Sequence, residues 1–515
     1  MAIPSGELIL VLDFGSQYTQ LISRRIRELE VYSEIEPFTL AYEEVLRRRP
    51  KGIVLSGGPG SVHEPNGPRC DPRLLSGEFP LLGICYGMQL MAHACGGVVE
   101  PGETREYGHA MVELDGGCVL FRDLEPQQRV WMSHGDHVTG LPPGFLTIGR
   151  SSDGIVAAIA DPDRKRYGIQ FHPEVSHTQE GGRMLERFVR DICGCSGAWT
   201  MASFLEQSIA EIRARVGGER VLAGLSGGID STVASLLLVR ALGPAARLVF
   251  VDNGLLRSGD QDWVRVQIQE RFQVPIHFLE ARKRFLDRLE GVSDPELKRK
   301  RIGAEFIRVF EEEAESQGGI RFLLQGTLYP DVIESVSQQG PSATIKSHHN
   351  VGGLPPDLKF ELIEPLRFLF KDEVRALGLE LGLPAEVLQR QPFPGPGLAV
   401  RVLGEVTEER LELVRRADAI VTEEIRRAGL YDSIWQAFAV LLPVKSVGVM
   451  GDFRTYENVL AVRAVHSTDG MTADWVRLPD SVLARISGRI VNEVRGINRV
   501  VYDVTSKPPG TIEWE

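Results

Sequence analysis

A cysteine stands between two glycines in Gly83-Ile84-Cys85-Tyr86-Gly87, directly after an apolar run and before the helical run MQLMAHA. A thiol on a tight strand-to-helix turn needs small neighbours, and the positive end of the following helix favours the thiolate. In Phe171-His172-Pro173-Glu174 an imidazole and a carboxylate lie two residues apart. On an extended chain they share one side, so Glu174 can orient His172 while His172 takes the Cys85 proton. Their distance in sequence from Cys85 is no objection, because folding assembles such groups. The turn Ser56-Gly57-Gly58-Pro59-Gly60-Ser61 follows the run GIVL, and its backbone N–H groups, that of Gly58 among them, join that of Tyr86 as a candidate oxyanion hole. Each piece alone has a plain structural reading, since lone cysteines are usually buried core and glycine turns often only turn. Together they favour a nucleophilic thiol.

A second constellation is Ser226-Gly227-Gly228-Ile229-Asp230-Ser231-Thr232, which follows VLAGL and opens the helical run TVASLLL. Glycines let backbone approach phosphates, N–H groups and hydroxyls donate to oxygens, and the helix dipole adds attraction. The lysine of a Walker A loop is missing, and the spacing is not that of a dinucleotide fingerprint. The run LVFVDNG puts Asp252 and Asn253 at the carboxyl end of a strand, where nucleotide sites lie in open α/β sheets.

The elements that must hold these groups are legible in outline. From Leu8 to about Phe188 short apolar runs alternate with helix-like segments, which predicts a first α/β domain with a parallel or mixed sheet over residues 7–192. The small, nearly uncharged stretch CGCSGAWT, residues 193–200, reads as a linker. Leu205, Ile209, Ile212 and Val216 form one apolar helical stripe leading into a second α/β unit, residues 200–391, with a parallel sheet. Three prolines in PFPGPG exclude regular helix and central strand, and mark a boundary. Residues 392–515 then predict a small α+β domain: a helix over Thr407–Arg427, strands near VKSVGVM and NVLAVRAV, a helix near Ser481–Val494 and a final strand RVVYDV.

The chain has 515 residues, about three domains' worth. Its 58 Lys+Arg against 70 Asp+Glu leave a charge of −12, the wrong sign for a protein that holds nucleic acid chiefly through its phosphates. No basic residue precedes Arg24, so a secretory leader is not expected. The uncharged stretch Phe79–Val99 is broken by glycines, Pro80, Gln89 and His93, which excludes a membrane span. Six cysteines are too sparse for a disulfide framework, and the expected setting is the cytoplasm.

G-x-C-x-G, F-H-P-E and the S-G-G-P-G turn, in that order, resemble the class I glutamine amidotransferases over roughly residues 7–190. That resemblance implies that Cys85 attacks the glutamine amide, ammonia leaves, and water clears the thioester, with His172 and Glu174 completing the triad. His134 and His137 in SHGDH are read as structural or substrate-adjacent. S-G-G-x-D-S resembles the pyrophosphate loop of enzymes that split ATP into AMP and pyrophosphate. Amination of xanthosine monophosphate (XMP), NAD synthesis, asparagine or argininosuccinate synthesis and tRNA thiolation all compete for that loop. The acidic balance disfavours tRNA. The tail Lys507-Pro508-Pro509-Gly510-Thr511-Ile512-Glu513-Trp514-Glu515, the run Lys346-Ser347-His348-His349-Asn350-Val351-Gly352-Gly353 and Gln391-Pro392-Phe393-Pro394-Gly395-Pro396-Gly397 resemble the GMP synthases, so that the likeness spans essentially the whole chain.

The family resemblance implies an amidotransferase domain, an ATP pyrophosphatase domain of the adenine nucleotide α-hydrolase kind, and a C-terminal dimerisation domain. It further implies that Ser226–Thr232 and Lys346 meet ATP, with Mg²⁺ at Asp230, and that Arg299, Gln436, Arg499, Lys507 and Glu513 hold XMP. A homodimer through the C-terminal domain is expected. Two other readings stay open at this point: a glutamine-dependent NAD synthetase, though that family typically carries a different glutaminase, and a binding or regulatory protein with decayed sites, against which the complete triad and loop argue.

Overall fold

The runs ILVLD, GIVL, LLGI and RYGI are apolar on both faces, the pattern of parallel strands covered on both sides. In the computed structural model, which describes residues 6–336, 359–450, 453–467, 470 and 472–515, they lie side by side. The chain divides into two compact units, the first built on the chain up to Gln207, the second on Ser208–Val332 and the C-terminal part through Glu515.

In the first unit the strands are β1 (Ile9–Asp13), β2 (Ser33–Pro37), β3 (Gly52–Leu55), β4 (Leu81–Ile84), β5 (Val98–Leu114), β6 (Gln127–Gly140), β7 (Leu146–Ser151), β8 (Val156–Asp161) and β9 (Arg166–Ile169). They form one mixed sheet in the order β2-β1-β3-β4-β9-β8-β7-β5-β6. The side from β2 to β9 is parallel, and the pairs from β9 to β6 are antiparallel. Segment 193–200, expected as a linker, has no regular structure but is packed onto this unit. Cys193, Cys195 and Trp199 are buried, Trp199 N–H donates to the Glu30 carbonyl at 2.9 Å, and its indole meets the Tyr32 ring at 4.6 Å.

The second unit holds two sheets. The strands β10 (Val221–Gly224), β11 (Ala246–Asp252), β12 (Ile276–Glu280), β13 (Phe322–Leu324) and β14 (Glu361–Ile363) are all parallel in the order β12-β11-β10-β13-β14. The strands β15 (Gln436–Met450), β16 (Phe453–His466), β17 (Asp474–Trp475) and β18 (Ile497–Tyr502) make the other, with β16 paired to all three of its fellows. One continuous core joins Leu222, Val249 and Phe285 of the parallel-sheet part to Val414, Leu460 and Ile490 of the C-terminal part. Residues 200–391 and 392–515, separated in sequence by a proline-rich run, therefore share their packing from Ser208 onward.

The helix expected from the stripe Leu205–Val216 spans Met201–Val216, and that expected over Thr407–Arg427 spans Glu408–Arg427. Thr407 is its cap, the hydroxyl accepting the Arg410 N–H at 3.2 Å.

Candidate active site

β3, β4 and β9 are neighbours, and the three loops at their carboxyl ends carry the SGGPG turn, Cys85 and the FHPE segment. The Cys85 N–H donates to the carbonyl of Ile169, the last residue of β9, at 2.8 Å, which ties the two loops together at their roots. Cys85 has φ 52° and ψ −109°, a left-handed conformation costly for a non-glycine residue and held by its surroundings. The helix Tyr86–Ala94 begins at once, so the Tyr86 N–H is among the unpaired donors of a first turn. Both glycines of the motif have steric reasons. A Cβ on Gly83 falls 2.6 Å from the Gly87 carbonyl, and one on Gly87 runs into the Leu55 carbonyl of β3. Only bare backbone lets this helix sit so close.

The His172 Nδ1 and Glu174 Oε1 are 2.7 Å apart, and both side chains are buried. Burial opposes charging the ring, but the Glu174 carboxylate and hydrogen bonding to Cys85 more than offset it and raise the His172 pKa from 6.5 to about 10. The ring is therefore held ready to carry a proton beside the sulfur. The His172 N–H donates to the Trp131 carbonyl at 3.0 Å, the Thr178 hydroxyl donates to the His172 carbonyl at 2.5 Å, and the Tyr18 ring meets the imidazole edge-on at 5.1 Å. The SGGPG turn is pinned by Ser56, whose hydroxyl accepts the Phe14 N–H at 3.0 Å. The Cβ direction of Gly57 points at His172 (3.2 Å to Cε1) and Cys85 (3.6 Å to Cβ), so a side chain there would intrude on the triad; that of Gly58 faces the Phe14 carbonyl at 2.7 Å.

Several contacts around the triad were not assigned from the sequence. The Cys85 thiol donates to the Ser133 carbonyl at 3.5 Å, the Gln89 amide donates to the Asp136 carbonyl at 2.7 Å, and the Ser61 hydroxyl donates to Asp136 Oδ2 at 2.5 Å. The segment SHGDH thus meets the thiol through Ser133. His134 within it is buried against Glu106, Nε2 to Oε2 2.9 Å, and burial pushes its pKa down.

In the second unit β10 delivers the loop Ser226–Gly228 to the helix Ile229–Leu242. The Ser226 and Ser231 hydroxyls are 2.9 Å apart, and those of Ser231 and Thr232 donate to the Gly228 carbonyl at 3.1 and 2.8 Å. Gly227 takes φ 76°, and its carbonyl accepts from Arg390 at 2.8 Å. Asp230 has one carboxylate oxygen 3.5 Å from the Lys371 ammonium and the other buried with no hydrogen-bond partner among the described residues. Gly326, just beyond β13, abuts the Asp230–Ser231 backbone. Lys346 lies outside the described residues.

The C-terminal residues named from the sequence are brought together in part. The Gln436 amide donates to Glu513 Oε1 at 2.7 Å, and both Glu513 oxygens accept from Arg401, at 3.2 and 3.3 Å. Arg299 donates to the backbone oxygen of Glu515. Its neighbour Lys298 is fully buried, donating to the Val402 carbonyl at 2.7 Å and pairing with Glu515, so the four basic residues 298–301 do not share one solvated face. Arg499 is exposed on β18, donating to the Ser446 hydroxyl at 3.2 Å, and the Lys507 ammonium donates to the Gly470 carbonyl at 2.6 Å.

Residues 10–192 match the family described as glutamine amidotransferase class-I, residues 200–255 the NAD synthase family, and residues 423–514 the GMP synthase C terminal domain. The proteins named GMP synthase [glutamine-hydrolyzing] of Thermomicrobium roseum, Geobacillus kaustophilus and Nitratiruptor sp. are 59%, 57% and 58% identical to it. Those alignments cover 99%, 99% and 98% of this chain and 97%, 99% and 99% of theirs. With a nucleophile elbow, a pyrophosphate-type loop and this identity from end to end, the chain belongs to the glutamine-hydrolysing GMP synthase family.

Proposed function

We propose that the chain hydrolyses glutamine at Cys85 and uses the ammonia, with ATP, to aminate XMP at C2, giving GMP, AMP and pyrophosphate. The observation that carries this reading is the 59% identity over 99% of the chain, which takes in the triad, the loop and the tail at once. Cys85, losing its proton to His172, attacks the glutamine amide carbon; the Gly58 and Tyr86 N–H groups receive the developing oxyanion; His172 hands the proton to departing ammonia. Water then clears the thioester. In the second unit Ser226–Thr232 take the ATP phosphates through backbone N–H groups and hydroxyls at the start of a helix. The XMP base oxygen is adenylated, and ammonia displaces AMP.

The buried oxygen of Asp230, unpaired among the described residues, suits a hard cation, and with the Ser226 and Ser231 hydroxyls it would hold Mg²⁺. Bound there, the ion neutralises phosphate charge. Lys346 is assigned to the ATP phosphates, and Arg299, Gln436, Arg499, Lys507 and Glu513 to XMP. We further assign a homodimer through the C-terminal sheet and a place in the cytoplasm; among the described residues no helix is long and apolar enough to cross a membrane.

Two assays test this reading. Given ATP, Mg²⁺ and glutamine, the protein is expected to consume XMP and leave deamido-NAD untouched; the reverse result overturns it. Cys85→Ala is expected to abolish glutamine-driven synthesis and keep most of the synthesis driven by added ammonium salt. Equal loss of both in a folded variant would end the proposed division of labour.

A further inference from the structure

The run Gln391–Arg401 joins parts of the second unit that are far apart in sequence. Just before it, Arg390 donates to the Gly227 carbonyl, pairs with Asp260 and lies over the Trp263 ring at 4.0 Å. Leu398 N–H donates to the Leu255 carbonyl at 2.8 Å, and a Cβ on Gly397 would strike that same carbonyl. The Gln391 side chain accepts the Ala437 N–H at 2.9 Å and donates to the Tyr431 and Ile434 carbonyls, both at 3.2 Å. The Pro392 carbonyl accepts from the Gln436 amide at 3.1 Å. At the far end Arg401 is 1% exposed.

Each nitrogen of that guanidinium is used. Nε and one terminal nitrogen reach the two Glu513 oxygens, and the other terminal nitrogen reaches Asp418 Oδ1 at 3.3 Å. Asp418 is buried in the helix Glu408–Arg427, and the same oxygen accepts the Ala439 N–H at 3.1 Å, which locks it to β15. The Arg401 guanidinium lies over the Phe438 ring at 4.3 Å and over the Phe393 ring at 5.1 Å, and Arg257 lies over Phe393 in turn at 4.5 Å. Glu513 belongs to a tail without helix or strand, so its carboxylate owes its place to these partners.

We infer that Arg401 is a positioning residue of the nucleotide-amination site: clamped by Phe438, Phe393 and Asp418, it fixes the Glu513 carboxylate, and through it the Gln436 amide, in the orientation that meets the nucleotide. This rests on the reading that Glu513 and Gln436 face XMP. A bidentate fork sets both the place and the plane of a carboxylate, which a lysine cannot do. Glu513 thereby keeps one fixed set of lone pairs for a ligand.

The test uses Glu513→Gln, Arg401→Lys, their double variant and Phe393→Leu in the full chain, with ammonium as nitrogen donor so that the glutaminase does not enter. Glu513→Gln and Arg401→Lys are each expected to raise the KM for XMP on the order of tenfold. The double variant is expected to be no worse than the poorer single, because both remove one fixed carboxylate. Phe393→Leu removes no hydrogen bond and is expected to raise the same KM by about two- to fivefold. It keeps the inference testable should Arg401→Lys fail to fold. If Glu513→Gln leaves the XMP KM unchanged, the tail reading beneath the inference falls. If Glu513→Gln raises it but neither Arg401→Lys nor Phe393→Leu does, if the two effects add in full, or if the ATP KM rises in parallel, Arg401 is structural and the inference is overturned.

Discussion

Glu174 reaches His172 with one carboxylate oxygen, the other being buried without a hydrogen-bond partner among the described residues, so a single bond at 2.7 Å orients the imidazole. The carboxylate also supplies the charge that lifts the ring's pKa to about 10 against the cost of burial. Because the shift is upward, the stabilisation it carries is full below the unfolded value of 6.5 and is lost as pH rises through about 10. A charged ring is needed to protonate departing ammonia, so glutaminase turnover is expected to fall over the upper end of that window. Glu174→Gln keeps a hydrogen-bond partner and removes the charge. The alkaline limb of its pH–kcat profile is expected to move down towards neutrality, with kcat reduced; an unmoved limb would show that Glu174 does not set the ring's proton affinity. Cys85, His172 and Glu174 were legible because their chemistry is in their residue types. Ser133 was not, since it contributes a carbonyl that any residue owns, and Tyr18 contributes a ring edge.

At the scale of elements, the helix Tyr86–Ala94 carries the nucleophile at its start and reaches its depth only because Gly83 and Gly87 lack side chains. Gly87→Ala has to push that helix away from β3, and overpacking of this kind costs about 1–3 kcal/mol. It is expected to lower the melting temperature and, by shifting Cys85 away from His172, to slow alkylation of Cys85 by a glutamine-like electrophile more than the stability loss explains. A variant with a wild-type alkylation rate would show that the elbow tolerates the displacement. The G-x-C-x-G spacing announced this constraint, and the apolar stripes announced the helices Met201–Val216 and Glu408–Arg427, since local periodicity carries both. The role of Gln391–Arg401 was hidden for the opposite reason. Its prolines do break helix and strand, which reads as a boundary, but its fastenings to Leu255 and Glu513, and that of the preceding Arg390 to Gly227, join residues more than a hundred positions apart. No local pattern encodes such a pairing.

For the whole molecule, the outer part of β15 and β16 poses a question that one chain does not answer. From Lys445↔Asn458 to Met450↔Phe453 the two strands run as a ribbon, with Val447 opposite Tyr456 and Val449 opposite Arg454. Val447, Val449 and Tyr456, which share one face by this register, are 44%, 76% and 65% exposed, and Phe453, opposite Met450 on the other face, is 78% exposed. A two-stranded ribbon is marginal in water without a third layer, and clustered large apolar side chains on a surface mark an interface. The notable charge of −12 makes bare association of two copies unfavourable unless a specific apolar patch offsets it, so the patch should be where they meet. A second copy supplies the same ribbon, and a twofold axis lets each bury the other's apolar residues. The protein is therefore expected to sediment as a dimer at micromolar concentration, and the paired change Phe453→Glu and Tyr456→Glu to move it to monomer. Burying four new carboxylates per dimer costs several kcal/mol, more than rim contacts return. Alkylation of Cys85 should be unchanged in that monomer, because the triad lies wholly in the first unit. A paired variant that still sediments as a dimer would place the interface elsewhere and leave the exposed ribbon without a partner.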